Sequence, residues 1–326
     1  VSYVATGSLS VLRQRAAILA AIRAFFAARG LLEVETPALS PSGVTDPALE
    51  NVTAAVASLG SAPRYLHTSP EFAMKRLLAA GSGDIFQMCR VFRDDELGRW
   101  HQPEFTLLEW YRVGWDDARL MTEVEALLAT AVTAARAAPS SATLGGSVRT
   151  TYADAVEQAL GVRPDAPTNV LVHRLEAAGI DVPRGLAHDA VLDLAFGTVV
   201  VARFDPKIFT FVCDYPASQA ALARIQATTP PVAARFEVFA GGIELANGFH
   251  ELTDAGEQRR RFAADQAVRR NTGRHVPPVD EAFLAALAAG LPDCAGVAVG
   301  IDRLVALATG ESGIAATLSF AHTRDD

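Results

Sequence analysis

The chain has 326 residues, 50% of them apolar, and carries 29 basic against 37 acidic side chains for a formal net charge of −8. That length and apolar content suffice for one large or two small globular domains and exclude a disordered chain. The acidic balance lacks the basic excess that neutralises nucleic-acid phosphates by composition alone.

Only Lys75 and Lys207 are lysines, so nearly every positive charge is a guanidinium, which suits bidentate recognition of phosphate or carboxylate and equally reflects coding bias. Cys89, Cys213 and Cys294 are scattered in no metal-like spacing, which points to a reducing compartment, and the cytoplasm fits best. The N-terminus lacks the basic start and apolar core of a signal peptide. The apolar run "LAFGTVVVA" stops at Arg203, short of the roughly 20 residues a spanning helix needs, so no membrane contact is expected.

In chain order, Ile18, Leu19, Ile22, Phe25 and Phe26 recur at helical spacing within residues 12–29, and Gly30 is placed to cap that helix. "LLEVETP" reads as a strand closed by Pro37, and "SPSGVTDP" as a loop. Residues 69–80 have a helical pattern, while 85–92 and 104–111 read as the arms of a β-hairpin. A second long helix, "DARLMTEVEALLATAVTAARAA", runs into "PSSATLGGS", where a break between subdomains is expected near 137–147. "YADAVEQAL" and "NVLVHRLEAAG" are helical and carry no obvious chemistry, so about 140–195 is expected to be a helical insertion. Strands resume at "FGTVVVARF" and "FTFVCDY". "RFEVFAGGIELANG" then forms a hairpin, "AGEQRRRFAADQAVRR" a helix, and "AGVAVGIDRLVALATG" a strand running into a helix.

Two hairpins concentrate the charge. The first has Arg93 and Arg99 at its tip beside Asp94, Asp95 and Glu96, and its second arm puts Phe105, Leu107, Glu109 and Tyr111 on one face. A carboxylate and a phenol on an otherwise apolar face can seat an ammonium group, because burying either without a partner is costly. The alternative is that Glu109 and Arg112 are surface residues. In the second hairpin Glu237, Glu244 and Glu251 recur every seven residues, but Gly241-Gly242 and Asn247-Gly248 argue against a helix. With Gly241-Gly242 as a two-residue turn, Phe239 faces Glu244, and Glu237 and Glu244 become diagonal neighbours on one face. Two carboxylates so placed repel unless a cation lies between them. Magnesium bridged to phosphate oxygens is a natural occupant, since it takes one or two carboxylates and leaves its other positions to water and substrate. A polar outer sheet face is the alternative. Gly300 at a strand-to-helix turn and Arg303 just after it resemble a nucleotide site, yet GxxxxGK[ST] and GxGxxG are both absent, so a P-loop and a dinucleotide fold lose support.

Three ordered segments carry a resemblance: the helix-strand-proline unit at the start, "FRDDELGRWHQPEF" in the middle and "GVAVGIDRL" near the end. They resemble motifs 1, 2 and 3 of the class II aminoacyl-tRNA synthetases, and "HQPEFTLLEWY" and "GIELANGFHELTDA" are similar to the lysyl branch. The likeness runs from about residue 12 to the C-terminus. A lysyl-tRNA synthetase would also carry an N-terminal anticodon-binding barrel, for which the sequence leaves no residues, so no tRNA anticodon contact is expected. "SPEFAMKRLLAAG", "PEFTLLEWYR", "YPASQA", "ELANGFHELTDA" and "LPDCAGVAVGIDRL" are closer to the stand-alone paralogues of the lysyl enzymes, the elongation factor P lysine ligases. Ala298 sides with these, because lysyl-tRNA synthetases usually carry glycine there.

The resemblance implies an α+β fold, a single catalytic domain over residues 1–326 with an antiparallel sheet flanked by helices. It also implies a homodimer formed through the first helix and the strand ending at Pro37. ATP would be the co-substrate and magnesium the cofactor. Lysine or (R)-β-lysine would be activated as the adenylate and transferred to a lysine ε-amine of elongation factor P. Arg93 would bridge the α-phosphate and the amino-acid carboxylate, and Phe105 and Arg303 would sandwich the adenine. Asp94, Asp95, Gln102, Leu245 and Gly300 would contact the nucleotide, and Glu237 and Glu244 would hold magnesium. Glu71 would meet an amino group near the carboxylate, and Ser69 and Pro70 would also contact the amino-acid substrate. Glu109, Tyr111, Asn247 and Glu251 would surround the side-chain ammonium, with Ala298 shaping the pocket. The family carries glutamate where Asp95 stands and asparagine where Gln102 stands; either the two changes compensate or Glu96 takes the adenine contact. Arg259, Arg260 and Arg261 would receive the acidic protein partner or form a solvated helix face. Two other readings stay open: a truncated, synthetase-like adenylate-forming enzyme with another acceptor, and a non-catalytic regulatory paralogue. Pyrophosphate exchange across amino acids separates them.

Overall fold

Ser8 starts the first helix by accepting a hydrogen bond from the Val11 N–H at 3.2 Å, and α1 runs Leu9–Ala27. The computed structural model describes residues 4–135 and 144–323. Ile18, Ile22, Phe25 and Phe26 form the buried stripe of α1. Gly30 leaves the helix at φ +73°, a left-handed conformation glycine adopts without a steric cost. Short strands β1 (Leu32–Glu33), β2 (Leu39–Ser40), β3 (Thr53–Ala54) and β4 (Arg64–Leu66) follow, then α2 (Glu71–Ala79). The strand expected over "LLEVETP" is only the two-residue β1, because its ladder to the next long strand ends at the Val34 N–H, which donates to Phe86 O at 2.9 Å.

The hairpin arms are β5 (Ile85–Phe92) and β6 (Glu104–Val113), followed by α3 (Asp117–Ala135). The break expected near 137–147 falls largely outside the described residues. Strand β7 (Ser147–Thr151) opens the second half and is followed by α4 (Tyr152–Leu160), α5 (Thr168–Ala177) and α6 (His188–Ala195). "FGTVVVARF" is not a strand. Its β-branched run favours one by propensity, but Phe196–Val200 continues α6 as a π-helical turn and Val201–Arg203 as a 3-10 turn. Phe196, Val200 and Val201 are buried while Gly197, Thr198 and Ala202 are exposed, which is a helical period. Stacking of Phe196 on Tyr152 (4.7 Å) and its packing on Phe239 (5.7 Å) decide the outcome over local propensity.

Strands β8 (Phe209–Pro216), β9 (Ile225–Gln226), β10 (Val232–Ala240) and β11 (Ile243–His250) lead to α7 (Ala255–Asn271) and α8 (Glu281–Gly290). The chain then runs through β12 (Cys294–Gly300) into α9 (Ile301–Thr309). The main sheet has the order β1-β5-β6-β12-β11-β10-β8-β7, with β9 paired to β10, and is antiparallel except at β1–β5 and β7–β8. One face packs on α1, α3 and α9 through Phe86, Leu108, Trp110, Phe211, Val297 and Val299. Each such side chain contributes roughly 1.5–3 kcal/mol by leaving water. Polar ties lock this layer: Arg112 pairs with Glu123 (2.6 Å) and Asp84 (2.8 Å), and Asp302 joins Arg15 (2.5 Å) to the Thr106 N–H (2.7 Å). Glu109 and Arg112 are therefore buried on opposite faces of β6 and neither is a surface residue. No helix among the described residues is long and apolar enough to cross a membrane.

Candidate active site

On the face opposite α1 and α3, the register of three strands sets side chains in rows. Glu109 of β6 lies opposite Ala298 of β12, which lies opposite Asn247 of β11. Two residues along, Tyr111, Gly296 and Phe249 form the next row. A cavity of about 1260 Å³ opens over these rows, walled by residues 37–49, by α2 and by α7.

One end of the cavity is rich in carboxylates. Glu109 accepts hydrogen bonds from Ser69 Oγ and Tyr111 OH, both at 2.6 Å, and Ser69 Oγ also accepts from the Glu71 N–H at 3.0 Å. Lys75 Nζ lies 2.6 Å from Glu71 Oε1 and 2.6 Å from Glu251 Oε2. The second contact is a buried ion pair, and Gln258 Oε1 on α7 is a buried acceptor with no hydrogen-bond partner among the described residues. Burial and the Glu71 charge raise Glu109 to about 7, against the hydrogen bonds from Ser69 and Tyr111. Burial raises Glu251 to about 8, although the Lys75 ammonium pulls it the other way.

Guanidinium groups dominate the other end. Arg93 pairs loosely with Glu96 (3.7 Å) and lies by the Phe105 ring (5.1 Å), and its Nε is a buried donor with no hydrogen-bond partner among the described residues. Arg303 is held firmly: its guanidinium donates to Trp100 O (3.1 Å) and Glu244 O (2.8 Å) and meets His101 Nε2 at 2.8 Å. Burial and the Arg303 charge lower the His101 pKa, so a neutral imidazole accepts that bond. An unpaired guanidinium donor at one end, and buried carboxylates with the unpaired Gln258 acceptor at the other, are costly when left alone, and a ligand with an anionic and a cationic end satisfies both.

Glu237 and Glu244 lie between these ends. Tyr215 OH donates to Glu237 at 2.6 Å and Arg235 pairs with its other oxygen, while Glu244 has no side-chain partner among the described residues. Glu244 sits deep in the protein mass yet faces the open cavity, where water moderates the upward pKa shift caused by its surroundings and by Glu237. The hairpin register differs from a plain two-residue turn. Val238 faces Ala246 and Phe239 faces Glu244, so Leu245 is an extra residue and Glu237 sits opposite Asn247. Both carboxylates still line the cavity. A carboxylate without a side-chain partner beside one whose two oxygens each accept from one donor and keep a further lone pair fits a divalent cation that takes its remaining ligands from water and phosphate. Among the described residues no group of three His, Cys, Asp or Glu side chains could hold a metal by itself.

Of the residues singled out from sequence, Ser69, Pro70, Glu71, Arg93, Gln102, Phe105, Glu109, Tyr111, Glu237 and Glu244 line this cavity. So do Leu245, Asn247, Glu251, Ala298, Gly300 and Arg303. Asp94 and Asp95 do not. Asp95 takes φ +60°, Asp94 Oδ1 accepts from the Asp95 N–H (2.9 Å), and both side chains point to solvent, while Glu96 lines the cavity. The Gln102 amide is engaged by the backbone of His322 (2.8 and 3.3 Å). Arg99 at the same tip turns away to Ser312 O. Arg259 pairs with Glu281 of α8 (2.6 Å), and Arg260 and Arg261 share Glu257 of α7 (2.7 and 3.0 Å), so two acids offset part of the charge on this stretch.

Lys75, Gly296 and Gln258 belong to the site without having been singled out. Gly296 had one readable signal, its place two residues before Ala298 on the same strand face. A β-carbon there would collide with the Tyr111 ring and lie 2.6 Å from Glu251 Oε1. Gly296→Ala is therefore expected to displace the carboxylate end and weaken binding of an ammonium ligand by about tenfold, with nucleotide binding unchanged. Calorimetric titration of each ligand checks it.

A family model described as tRNA synthetases class II (D, K and N) matches residues 2–324. A curated relative from Vibrio vulnificus (strain YJ016) is 48% identical over 312 residues, covering 94% of this chain and 93% of the relative. One from Vibrio cholerae serotype O1 is 46% identical over 330 residues (98% and 97%), and one from Pseudoalteromonas translucida is 45% identical over 325 residues (98% and 97%). Each of the three is named elongation factor P--(R)-beta-lysine ligase. With a match along nearly its whole length, and with the antiparallel sheet and ordered motifs described above, the chain belongs to the class II tRNA synthetase family (D, K and N).

Proposed function

We propose that this chain is an ATP-dependent ligase that activates lysine or (R)-β-lysine as the adenylate and transfers it to a lysine ε-amine of elongation factor P. The observation that carries the reading is the opposed charge at the two ends of one cavity: the Arg93 guanidinium with its unpaired Nε, and the buried carboxylates Glu109 and Glu251 beside Tyr111 and the unpaired Gln258 acceptor. The names of the relatives supply the acceptor.

In the first step an oxygen of the amino-acid carboxylate attacks the α-phosphorus of ATP and the bond to pyrophosphate breaks. Arg93 meets the charge that builds on the α-phosphate and keeps the attacking carboxylate in line, so catalysis is positioning and electrostatics with no side-chain nucleophile. Phe105 and the restrained Arg303 offer two faces for the adenine ring. Glu237 and Glu244 would hold magnesium, which when bound would neutralise charge on the polyphosphate. Glu109, Tyr111 and Glu251 seat the side-chain ammonium, and Glu71 an amino group nearer the carboxylate. In the second step the acceptor amine attacks the adenylate carbonyl, AMP leaves, and the amine gives up its proton. A dimer through α1 and β1 belongs to the same reading, supported by Leu32 on that sheet edge being 56% exposed. Light scattering tests it. The cytoplasm is the compartment proposed.

Incubation with radiolabelled ATP, (R)-β-lysine or α-lysine, and elongation factor P tests the assignment. Amino-acid-dependent pyrophosphate exchange and label on the factor are expected, while adenylate formation with an unmodified factor refutes the acceptor.

The raised carboxylates also set a pH dependence. Glu109 and Glu251 bind protons more tightly in the empty folded site than at the ordinary glutamate value of 4.5, up to about 7 and about 8. Their contribution to stability is therefore present at low pH and is lost as pH rises through that window. A ligand ammonium compensates the carboxylates once they are charged. The rise in melting temperature caused by saturating lysine is expected to be larger at about pH 9 than at about pH 6, and a shift independent of pH rules this out.

A further inference from the structure

Lys75 lies one helical turn after Glu71 on α2, its side chain is 1% exposed, and its ammonium stands 2.6 Å from both Glu71 and Glu251. Those two carboxylates come from α2 and from the residue following β11, and the ammonium is the shared partner that fixes them relative to each other. Burial alone would lower the lysine pKa, but Glu251 and Glu71 together raise it above its ordinary value, so the group is a permanent cation and not a nucleophile. The other titratable groups around this cluster are Glu109 and Tyr111 on β6 and the Cys294 thiol on β12. Helix α8 contributes only the Phe283 ring, 5.8 Å from Nζ.

One ammonium against the half-buried Glu71 and the buried Glu109 and Glu251 leaves two negative charges when all three carboxylates are ionised. A diamino acid brings two ammonium groups. A monoamino acid leaves one buried carboxylate uncompensated, which is strongly unfavourable. Building on the proposed function, we infer that Lys75 is a positioning residue that holds Glu71 and Glu251 toward the substrate. It also sets the pocket charge to match two ammonium groups, selecting diamino over monoamino acids.

Lys75→Met removes the charge at nearly constant chain length. In pyrophosphate exchange its KM for lysine or β-lysine is expected to rise about 30-fold, with kcat and the KM for ATP within about threefold of wild type. The pH at which KM improves moves upward, because carboxylates without Lys75 hold their protons longer. The preference for lysine over norleucine, which has the same chain without the terminal ammonium, falls about tenfold. If Lys75→Met does not fold, Lys75→Gln, which keeps a donor and drops the charge, is measured in its place. An unchanged amino-acid KM and pH profile overturns the inference, as does a fall in kcat and melting temperature with KM and selectivity intact, the pattern of a purely structural lysine. Wild-type protein that binds norleucine within about threefold of lysine by calorimetry overturns it without any variant. Wild-type protein that exchanges pyrophosphate with no diamino acid removes the parent reading, and the inference falls with it.

Discussion

Arg93→Ala is expected to lower lysine-dependent pyrophosphate exchange about a thousandfold while leaving the protein folded. The side chain has a buried Nε with no partner, a single loose ion pair to Glu96 at 3.7 Å, and a position over the Phe105 ring. Removing it therefore sacrifices little folded-state energy, because a partly exposed pair of that length contributes about 0–1 kcal/mol. It removes the guanidinium that meets charge developing on phosphorus, so the loss falls on kcat more than on either KM. Arg93→Lys is not expected to rescue it, since an ammonium cannot span carboxylate and phosphate as the planar guanidinium does. Exchange kinetics alongside a thermal melt check this, and a variant with near-normal kcat would move the chemistry elsewhere in the cavity.

Glu251→Gln is expected to raise the KM for lysine about 100-fold with the KM for ATP unchanged. Glu251 is 1% exposed, and its Oε2 pairs with the Lys75 ammonium at 2.6 Å. The substitution removes the carboxylate that a substrate ammonium would ionise fully, and it leaves Lys75 with Glu71 as its one ion-pair partner among the described residues. Both losses act on the amino-acid end, while Arg303 and Phe105 stay where they are. Calorimetric titration of lysine and of ATP separates the two ends, and equal losses for both ligands would mean that the whole cavity has collapsed.

Local period and local order made much of this site readable before any contact was known. The two-residue spacing of Phe105, Leu107, Glu109 and Tyr111 is sufficient to put them on one face of β6, because side chains alternate along any strand. Gly241-Gly242 marks the turn that brings Glu244 back toward Glu237, and only the extra residue at Leu245 escapes that rule. Other features were illegible for identifiable reasons. "FGTVVVARF" has strand propensity, and the rings of Tyr152 and Phe239 turned it into helix. The acids at 94 and 95 looked like site residues beside Arg93, yet a left-handed residue at the hairpin tip turns them to solvent and leaves Glu96 facing in.

The sequence by itself determined the alternation of strands, the two charged hairpins and the family to which their order belongs, since each depends on residues within a few positions of one another. Only the tertiary structure decided what Lys75 is. Its rarity as one of two lysines does not say what it pairs with, and its partner Glu251 lies far along the chain, just after β11. Sheet pairing from β6 through β12 to β11 carries that carboxylate to α2, and the charge of the pocket is a sum over groups that no local pattern connects.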